Sequence, residues 1–135
     1  MKRILVGTDG SPGSQHAVRW AADLAAQCHA ELVLAHVVLI PAEIPAAMSS
    51  QVSALREEML KRGRAHLEEA SRGLEGAGLQ LLEGDDEAEA LSRLATHADL
   101  LVVGHRGANA LSRLLVGSVA DRLVQICPKP VVVVR

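Results

Sequence analysis

Glycines and serines between positions 104 and 118 have a spacing that suits phosphate binding. A phosphate is bound when several backbone N–H groups converge on it with no side chain in the way, so Gly104 and Gly107 suit such a loop. Gly117 and Ser118 precede an amphipathic segment, where a helix N-terminus adds N–H donors, a hydroxyl and the positive end of a dipole. The segment therefore predicts a polyphosphate site that needs no lysine. Glycines that only mark the end of a strand and the start of a helix would produce the same spacing.

Two common nucleotide motifs and two common site types are missing from the sequence. The Walker A pattern needs Gly-Lys-Ser/Thr, and residues 7–10, Gly-Thr-Asp-Gly, do not satisfy the dinucleotide fingerprint G-x-G-x-x-G. The six histidines show no metal-ligand spacing, so we expect no metal site made by protein alone. Trp20 is the only aromatic residue, which disfavours a site that stacks bases or a flavin on aromatic rings.

Short apolar runs alternate with amphipathic segments of helical length, which is typical of a parallel sheet covered on both faces. The predicted strands are 4–6, 32–38, 79–82, 100–103 and 131–134. The predicted helices follow Ser11 as N-cap, run from about Gln51 to Gly76, follow Asp86 as N-cap, and follow Ser118 as N-cap. The turns rich in Gly, Ser and Asp follow strands, and open α/β sheets bind ligands at the carboxyl ends of their strands.

Composition limits the class of protein and of partner. The 135 residues suit one domain, with 49% apolar residues for a core and 22% charged residues. A net charge of −2 gives no reason to expect nucleic acid or an anionic membrane as partner. The longest apolar run, Leu32 to Ile40, is too short to cross a bilayer, and the opening residues lead directly into a strand without a signal-peptide pattern. We therefore expect a cytoplasmic protein.

The glycine segment also carries a family resemblance. The run Gly104-x2-Gly107-x9-Gly117-Ser118 matches the G-x2-G-x9-G-[S/T] signature and resembles the nucleotide-binding branch of the universal stress protein family. The opening Ile-Leu-Val-Gly-Thr-Asp-Gly-Ser and the closing Cys-Pro-Lys-Pro-Val-Val-Val-Val-Arg are similar to the same family, so the resemblance covers the whole chain. It implies a single-domain α/β fold, a doubly wound five-stranded parallel sheet in the order 3-2-1-4-5, with Asp9 across from Gly104.

The resemblance further implies an adenine-nucleotide site, with ATP or AMP as ligand and with Mg²⁺ able to accompany ATP. Gly7, Thr8 and Asp9 would lie beside the adenine and ribose, the Asp9 carboxylate would accept from a base or sugar donor, and Val37 would contact adenine through its backbone. The ribose and phosphates would be bound by the signature residues Gly104, Arg106, Gly107, Ala108, Asn109, Gly117, Ser118 and Val119. Arg106 would neutralise phosphate charge, or would be a solvated loop arginine.

Three functions remain open from the sequence: a nucleotide-binding regulatory or stress-response protein, a slow ATPase, and a nucleotide-free dimerisation module. Hydrolysis needs a group that orients or deprotonates water, and residues 104–118 contain no carboxylate and no glutamine. The intact glycines count against the third function. We also expect a homodimer, because Val131 to Val134 would form an uncharged edge strand, which the family pairs with its copy in a second subunit.

Overall fold

The computed structural model describes residues 1–41, 43–105 and 116–135. Strands and helices alternate along them. The strands are β1 (Arg3–Gly7), β2 (Glu31–Leu39), β3 (Gly78–Gly84), β4 (Leu100–Gly104) and β5 (Val131–Val134). The helices are α1 (Pro12–Cys28), α2 (Ser49–Ala70), α3 (Glu87–Ala95) and α4 (Ser118–Ile126), and a short 3₁₀ turn, Ala46–Met48, precedes α2. None of these described helices is both long and apolar enough to cross a membrane.

The strands form one parallel sheet in the order β3-β2-β1-β4-β5, which confirms the predicted fold. Side chains alternate between its two faces, so neighbouring residues of each strand enter different cores. Leu5, Leu101 and Val103 pack with α3 and α4, and we call this side the α3/α4 face. Ile4 and Val102 pack on the other side with helices α1 and α2, which we call the α1/α2 face. Helix α1, which follows β1, packs on the α1/α2 face, whereas α4, which follows β4, packs on the α3/α4 face. Because the chain leaves these neighbouring strands toward opposite faces, a crevice opens at their carboxyl ends.

Local sequence explains where the helices that flank this crevice begin. The Ser11 side chain accepts a hydrogen bond from the backbone N–H of Ser14 at 3.2 Å, and Pro12 occupies the first helical position of α1. The Asp86 carboxylate caps α3 in the same way, accepting from the N–H of Glu89 at 3.1 Å. Both predicted caps are confirmed.

Two predicted helix boundaries are wrong. Helix α2 ends at Ala70 rather than near Gly76, because Gly73 and Gly76 have φ values of +80° and +77°, which no α-helix contains. Helix α4 is capped by Gly117, in extended conformation, and Ser118 is its first residue rather than its cap. Ser118 therefore lies in the first turn of α4.

Candidate functional site

A cavity of about 610 Å³ lies at the carboxyl ends of β1, β2 and β4, on the α3/α4 face. It is lined by every predicted site residue that the structure describes, namely Gly7, Thr8, Asp9, Val37, Gly104, Gly117, Ser118 and Val119. The other predicted site residues, Arg106, Gly107, Ala108 and Asn109, lie outside the described residues. The sheet topology thus brings together residues that are up to 112 positions apart, from Gly7 to Val119.

The turn after β1 is held in one conformation by local hydrogen bonds. Asp9 Oδ1 accepts from the backbone N–H of Ser11 at 2.9 Å, and the N–H of Asp9 donates to the Ser14 hydroxyl at 3.3 Å. Gly10 has a φ of +83°, which lets the chain reverse into α1. The Asp9 side chain is therefore fixed at the cavity wall before any ligand arrives.

The end of β2 presents backbone groups to the same cavity. The Ala35 carbonyl accepts from the N–H of Thr8 at 2.9 Å, so the backbone groups of Ala35 point toward β1. Two residues later the backbone of Val37 points the same way, because direction repeats with a period of two along a strand. Strand β1 has ended at Gly7, so the N–H and C=O of Val37 face the crevice instead of a neighbouring strand.

Gly104 has a structural requirement of its own. A Cβ atom built there would lie 2.6 Å from the backbone carbon of Gly13 and 2.8 Å from its carbonyl oxygen. The start of α1 therefore packs directly on the backbone at the end of β4. Glycine is needed at this position for packing, whatever it contributes to a ligand.

The start of α4 forms one wall of the cavity, and its hydrogen bonds correct one expectation from the sequence. The sequence predicted that the N–H of Gly117 would donate to a phosphate. In the structure this N–H instead donates to the carbonyl of His105 at 2.7 Å. The N–H groups of Ser118 and Val119 belong to the first turn of α4, where no carbonyl of the helix itself can accept from them. With the helix dipole, they make this wall of the cavity attractive to an anion.

The turn between β3 and α3 forms another wall of the cavity, and this wall is acidic. Asp85, Asp86 and Glu87 all line the cavity. Burial and then the nearby Asp9 carboxylate raise the pKa of Glu87 above its ordinary range. Asp86 caps α3 and also pairs with Arg122, which ties α4 to α3 at the cavity wall. The sequence analysis missed this wall, although Asp85 comes three residues after the predicted strand 79–82, as Asp9 does after the predicted strand 4–6.

The cavity is thus polarised between its walls. Carboxylates of Asp9, Asp85 and Glu87 occupy the side near β1 and β3, and the N-terminus of α4 occupies the other side. Among the described lining residues Arg122 is the sole arginine or lysine, and it is already paired with Asp86. Such a site can accept hydrogen bonds from N–H and O–H donors at one side and bind an anion at the other. Within the described part of the chain, no group of three or more His, Cys, Asp or Glu residues could hold a metal ion.

Comparisons with known proteins agree on one family. The model for the universal stress protein family matches residues 1–135. A universal stress protein of Methanocaldococcus jannaschii is 30% identical over 99% of this chain and 82% of its own length. One from Mycolicibacterium smegmatis is 33% identical over 98% of this chain, which spans only 47% of that relative. A solved universal stress protein in complex with cAMP is 30% identical, with a TM-score of 0.63 over 99% of this chain and 96% of its own.

Proposed function

This chain belongs to the universal stress protein family, and we propose that it is a regulatory protein that binds an adenine nucleotide in the polarised cavity. The observation that carries the proposal is the juxtaposition of the exposed first turn of α4 with the acidic wall across one crevice. The relative whose structure contains cAMP supports the ligand class. ATP and AMP are the two ligands that we propose to compare.

The acidic wall suits the nucleoside part of the ligand. Adenine carries an amino group and ribose carries hydroxyls, so both offer donors to the carboxylates of Asp9 and Glu87. The backbone N–H and C=O of Val37 are available to the edge of the base. Val37, Ala88 and Leu91 supply an aliphatic surface for the ring. In this orientation the carboxylates contact donors, and the negative charge of the phosphates is kept away from them.

The first turn of α4 suits the phosphates. The N–H groups of Ser118 and Val119 and the hydroxyl of Ser118 converge at the positive end of the helix dipole. Hydrogen bonds to a charged group contribute about 1.5–3 kcal/mol each, so two or three of them hold a phosphate without a lysine. We include Gly104, Arg106, Gly107, Ala108, Asn109 and Gly117 in the proposed site as parts of the glycine signature. Mg²⁺ bound to ATP would take most of its ligands from phosphates and water.

Ser118→Glu tests the proposed phosphate position without harming the helix. Ser118 is exposed, and a carboxylate in the first turn is favourable for the helix itself. The same carboxylate would repel a phosphate and displace it from the N–H groups. We expect calorimetric titration of ATP and AMP, after removal of copurified nucleotide, to show affinity at least about tenfold lower than in the wild type.

Ser50→Glu is the matched control, because Ser50 is exposed in the first turn of α2 and does not line the cavity. It makes the same charge change at a helix start and should bind like the wild type. Equal loss in both variants would mean that overall charge, not the α4 site, sets the affinity. A stripped wild type that binds neither nucleotide would overturn the proposal and favour the dimerisation module.

We also propose that β5 pairs with a second copy of the chain. It is an edge strand of the sheet, and its valines are only half-buried. The carbonyls of Pro130 and Val134 accept from the N–H groups of Leu101 and His105. The backbone groups of Val131 and Val133 alternate with these and therefore point away from β4, where another strand could pair.

Val133→Pro removes one outward N–H group and leaves the bonds to β4 in place. We expect sedimentation analysis to show a shift from dimer to monomer. Val133→Ala is the control, since it trims the same side chain but keeps the N–H and should stay dimeric. A monomeric wild type, or a Val133→Pro variant that remains dimeric, would contradict this interface.

A further inference from the structure

Two histidines lie beside the turn that carries Thr8, on the α1/α2 face of the sheet, and His36 also lines the proposed nucleotide cavity. His36 belongs to β2 and His66 belongs to α2, and their ring centroids are 4.7 Å apart at an interplanar angle of 53°. Both side chains are half-buried. Each of them contacts Thr8, which lines the cavity.

The contacts of His36 define its hydrogen-bonding role. Its Nδ1 lies 2.8 Å from the carbonyl oxygen of Thr8. A carbonyl only accepts, so Nδ1 of His36 carries a proton and donates. The N–H of Thr8 is already bonded to the Ala35 carbonyl at 2.9 Å. Strand β2 thus engages both backbone groups of Thr8.

His66 supports the same turn from α2. Its Nε2 lies 3.4 Å from the Thr8 hydroxyl, which in turn lies 3.3 Å from the hydroxyl of Ser14. Its ring covers Gly10 so closely that a Cβ built there would lie 2.7 Å from Cε1 of His66. One turn earlier, Gly63 lets α2 approach β2 and β3. His66 is therefore a side chain of α2 that contacts the turn carrying Thr8, Asp9 and Gly10.

We propose that His66 is a positioning residue that holds the turn between β1 and α1 in its binding conformation while neutral, and that its protonation weakens nucleotide binding. The proposal rests on the proposed function, because it concerns the regulation of that same site. His66 touches Thr8 and Gly10 from behind the sheet and acts on the ligand through them.

The surroundings of His66 favour its neutral form. Burial, and then the neighbouring His36, lower the pKa of His66, and Asp9 partly opposes this. His36 from β2 and Asp9 from the turn after β1 are the charged or titratable groups that act on it from the sheet side. Arg19 from α1, and Glu69 and Arg72 from α2 and its C-terminal end, line a second cavity of about 490 Å³ together with His66. Arg72 pairs with Glu69 at 2.8 Å. A proton gained by His66 would add positive charge beside the donating His36 and would disturb the contacts with Thr8 and Gly10.

His66→Gln is the informative variant, because glutamine keeps a polar group that can reach Thr8 but does not titrate. We expect it to bind Mg·ATP within about threefold of the wild type at about pH 8. Between about pH 8 and about pH 5 the affinity of the wild type should fall about tenfold more than that of His66→Gln. The phosphates of ATP also titrate near this range, and comparing the two proteins cancels their effect.

His16→Gln is the matched control, since His16 is exposed on α1 and does not line either cavity. It should follow the pH profile of the wild type. Equal profiles for wild type and His66→Gln, or a wild-type affinity that rises relative to His66→Gln as pH falls, would overturn the proposal. A merely structural role would lower affinity equally at every pH.

A ligand-free measurement separates this proposal from the proposed function. We expect the backbone amide resonances of Thr8 and Gly10 to shift with the titration of His66 in the wild type, and not in His66→Gln. If they shift but no nucleotide binds, the positioning role stands and the proposed function fails. If they do not follow His66, the positioning role is wrong even where nucleotide binds.

Discussion

The surroundings of the carboxyl groups differ between the two ends of the parallel sheet, and they shift pKa values in opposite directions. At the amino ends of β1 and β4, Asp99 accepts hydrogen bonds from the N–H groups of Lys2 and Arg3 at 2.8 and 2.9 Å. These backbone bonds, led by that of Arg3, lower the pKa of Asp99. The Arg3 side chain pairs with Glu31 at 2.9 Å and also donates to the carbonyl of His97. Asp99, Arg3 and Glu31 thus all have partners within the protein.

At the carboxyl ends, carboxyl groups gather around a cavity instead. Glu87 is partly buried near Asp9, and its pKa is raised rather than lowered. Perturbed titratable groups in a cleft are typical of sites that act on a ligand, and such sites commonly reduce stability. The contrast indicates that the Asp99 carboxylate stabilises the fold at the amino end, whereas burial at the carboxyl end disfavours the charged form of Glu87.

Gly104→Ala should have the largest effect on stability. It tests whether the backbone around the cavity at the carboxyl end is rigid. The added Cβ would meet backbone atoms of Gly13 and Ser14 at 2.6 to 2.9 Å, and backbone cannot move aside as a side chain can. We expect a loss of about 3 kcal/mol in the free energy of unfolding, measured by urea denaturation. The variant is therefore unsuitable for testing phosphate binding directly.

Gly63→Ala provides the control for Gly104→Ala. The Cβ built at Gly63 comes equally close to a neighbour, 2.7 Å, but that neighbour is the end of the Leu81 side chain. Alanine also favours the helix by about 1 kcal/mol. We expect a net change within about 1 kcal/mol of zero. If Gly104→Ala were as mild as Gly63→Ala, the close contact between β4 and α1 would not be limiting.

Glu87→Gln should have a smaller effect and of opposite sign, because it removes a carboxylate that the fold disfavours. A raised pKa means that the folded state binds the proton more tightly than the unfolded state. The stability of the wild type therefore falls as pH rises from 4.5, the ordinary value, through the raised pKa of folded Glu87. We expect the variant to unfold at higher urea concentration than the wild type at neutral pH and to match it below that range.

Glu89→Gln serves as its control, since Glu89 is exposed in the same first turn of α3 and does not line the cavity. Both substitutions lose the same interaction with the helix dipole, so their difference reports the cavity alone. A Glu87→Gln variant that is less stable than Glu89→Gln at neutral pH would show that the carboxylate is well solvated or paired. The contrast between the two ends of the sheet would then weaken.

The sequence predicted most of the fold because the signals for its elements are local. The apolar runs, the caps at Ser11 and Asp86 and the glycines at strand ends are each visible within a few residues. The end of α2 was misjudged, because its amphipathic pattern continues past Ala70 while the positive φ values of Gly73 and Gly76 are not visible in a pattern.

The site was predicted less completely than the fold, because part of it depends on contacts between distant segments. The family resemblance supplied Gly7, Thr8, Asp9 and Val37, and the topology brings them to one cavity. The pairing of the Gly117 N–H with His105, and the contact of His66 with the turn after β1, join residues 12 and 58 positions apart. No periodicity or local motif encodes such contacts, so they emerge only from the packed structure.

Asp99→Asn should have the smallest effect and tests the amino end of the sheet. Asparagine keeps an oxygen that can accept from the N–H groups of Lys2 and Arg3 but loses the negative charge. A lowered pKa means that the carboxylate stabilises the fold above its ordinary value of 3.8, and that this contribution is lost as pH falls through the lower folded pKa. We expect the variant to be slightly less stable than the wild type at neutral pH, and the difference to shrink in high salt and in acid.

Glu75→Gln is the control for Asp99→Asn, because Glu75 is exposed in the turn after α2 and removing it makes the same change in net charge. Its stability should follow that of the wild type across the acid range. If Asp99→Asn and Glu75→Gln behave alike, the two N–H groups at the start of β1 do not favour the carboxylate. If they differ as expected, acid destabilises the amino end through Asp99 and rising pH destabilises the carboxyl end through Glu87. The two ends would then respond to pH in opposite directions, because backbone N–H groups favour the charged form of Asp99 whereas burial disfavours the charged form of Glu87.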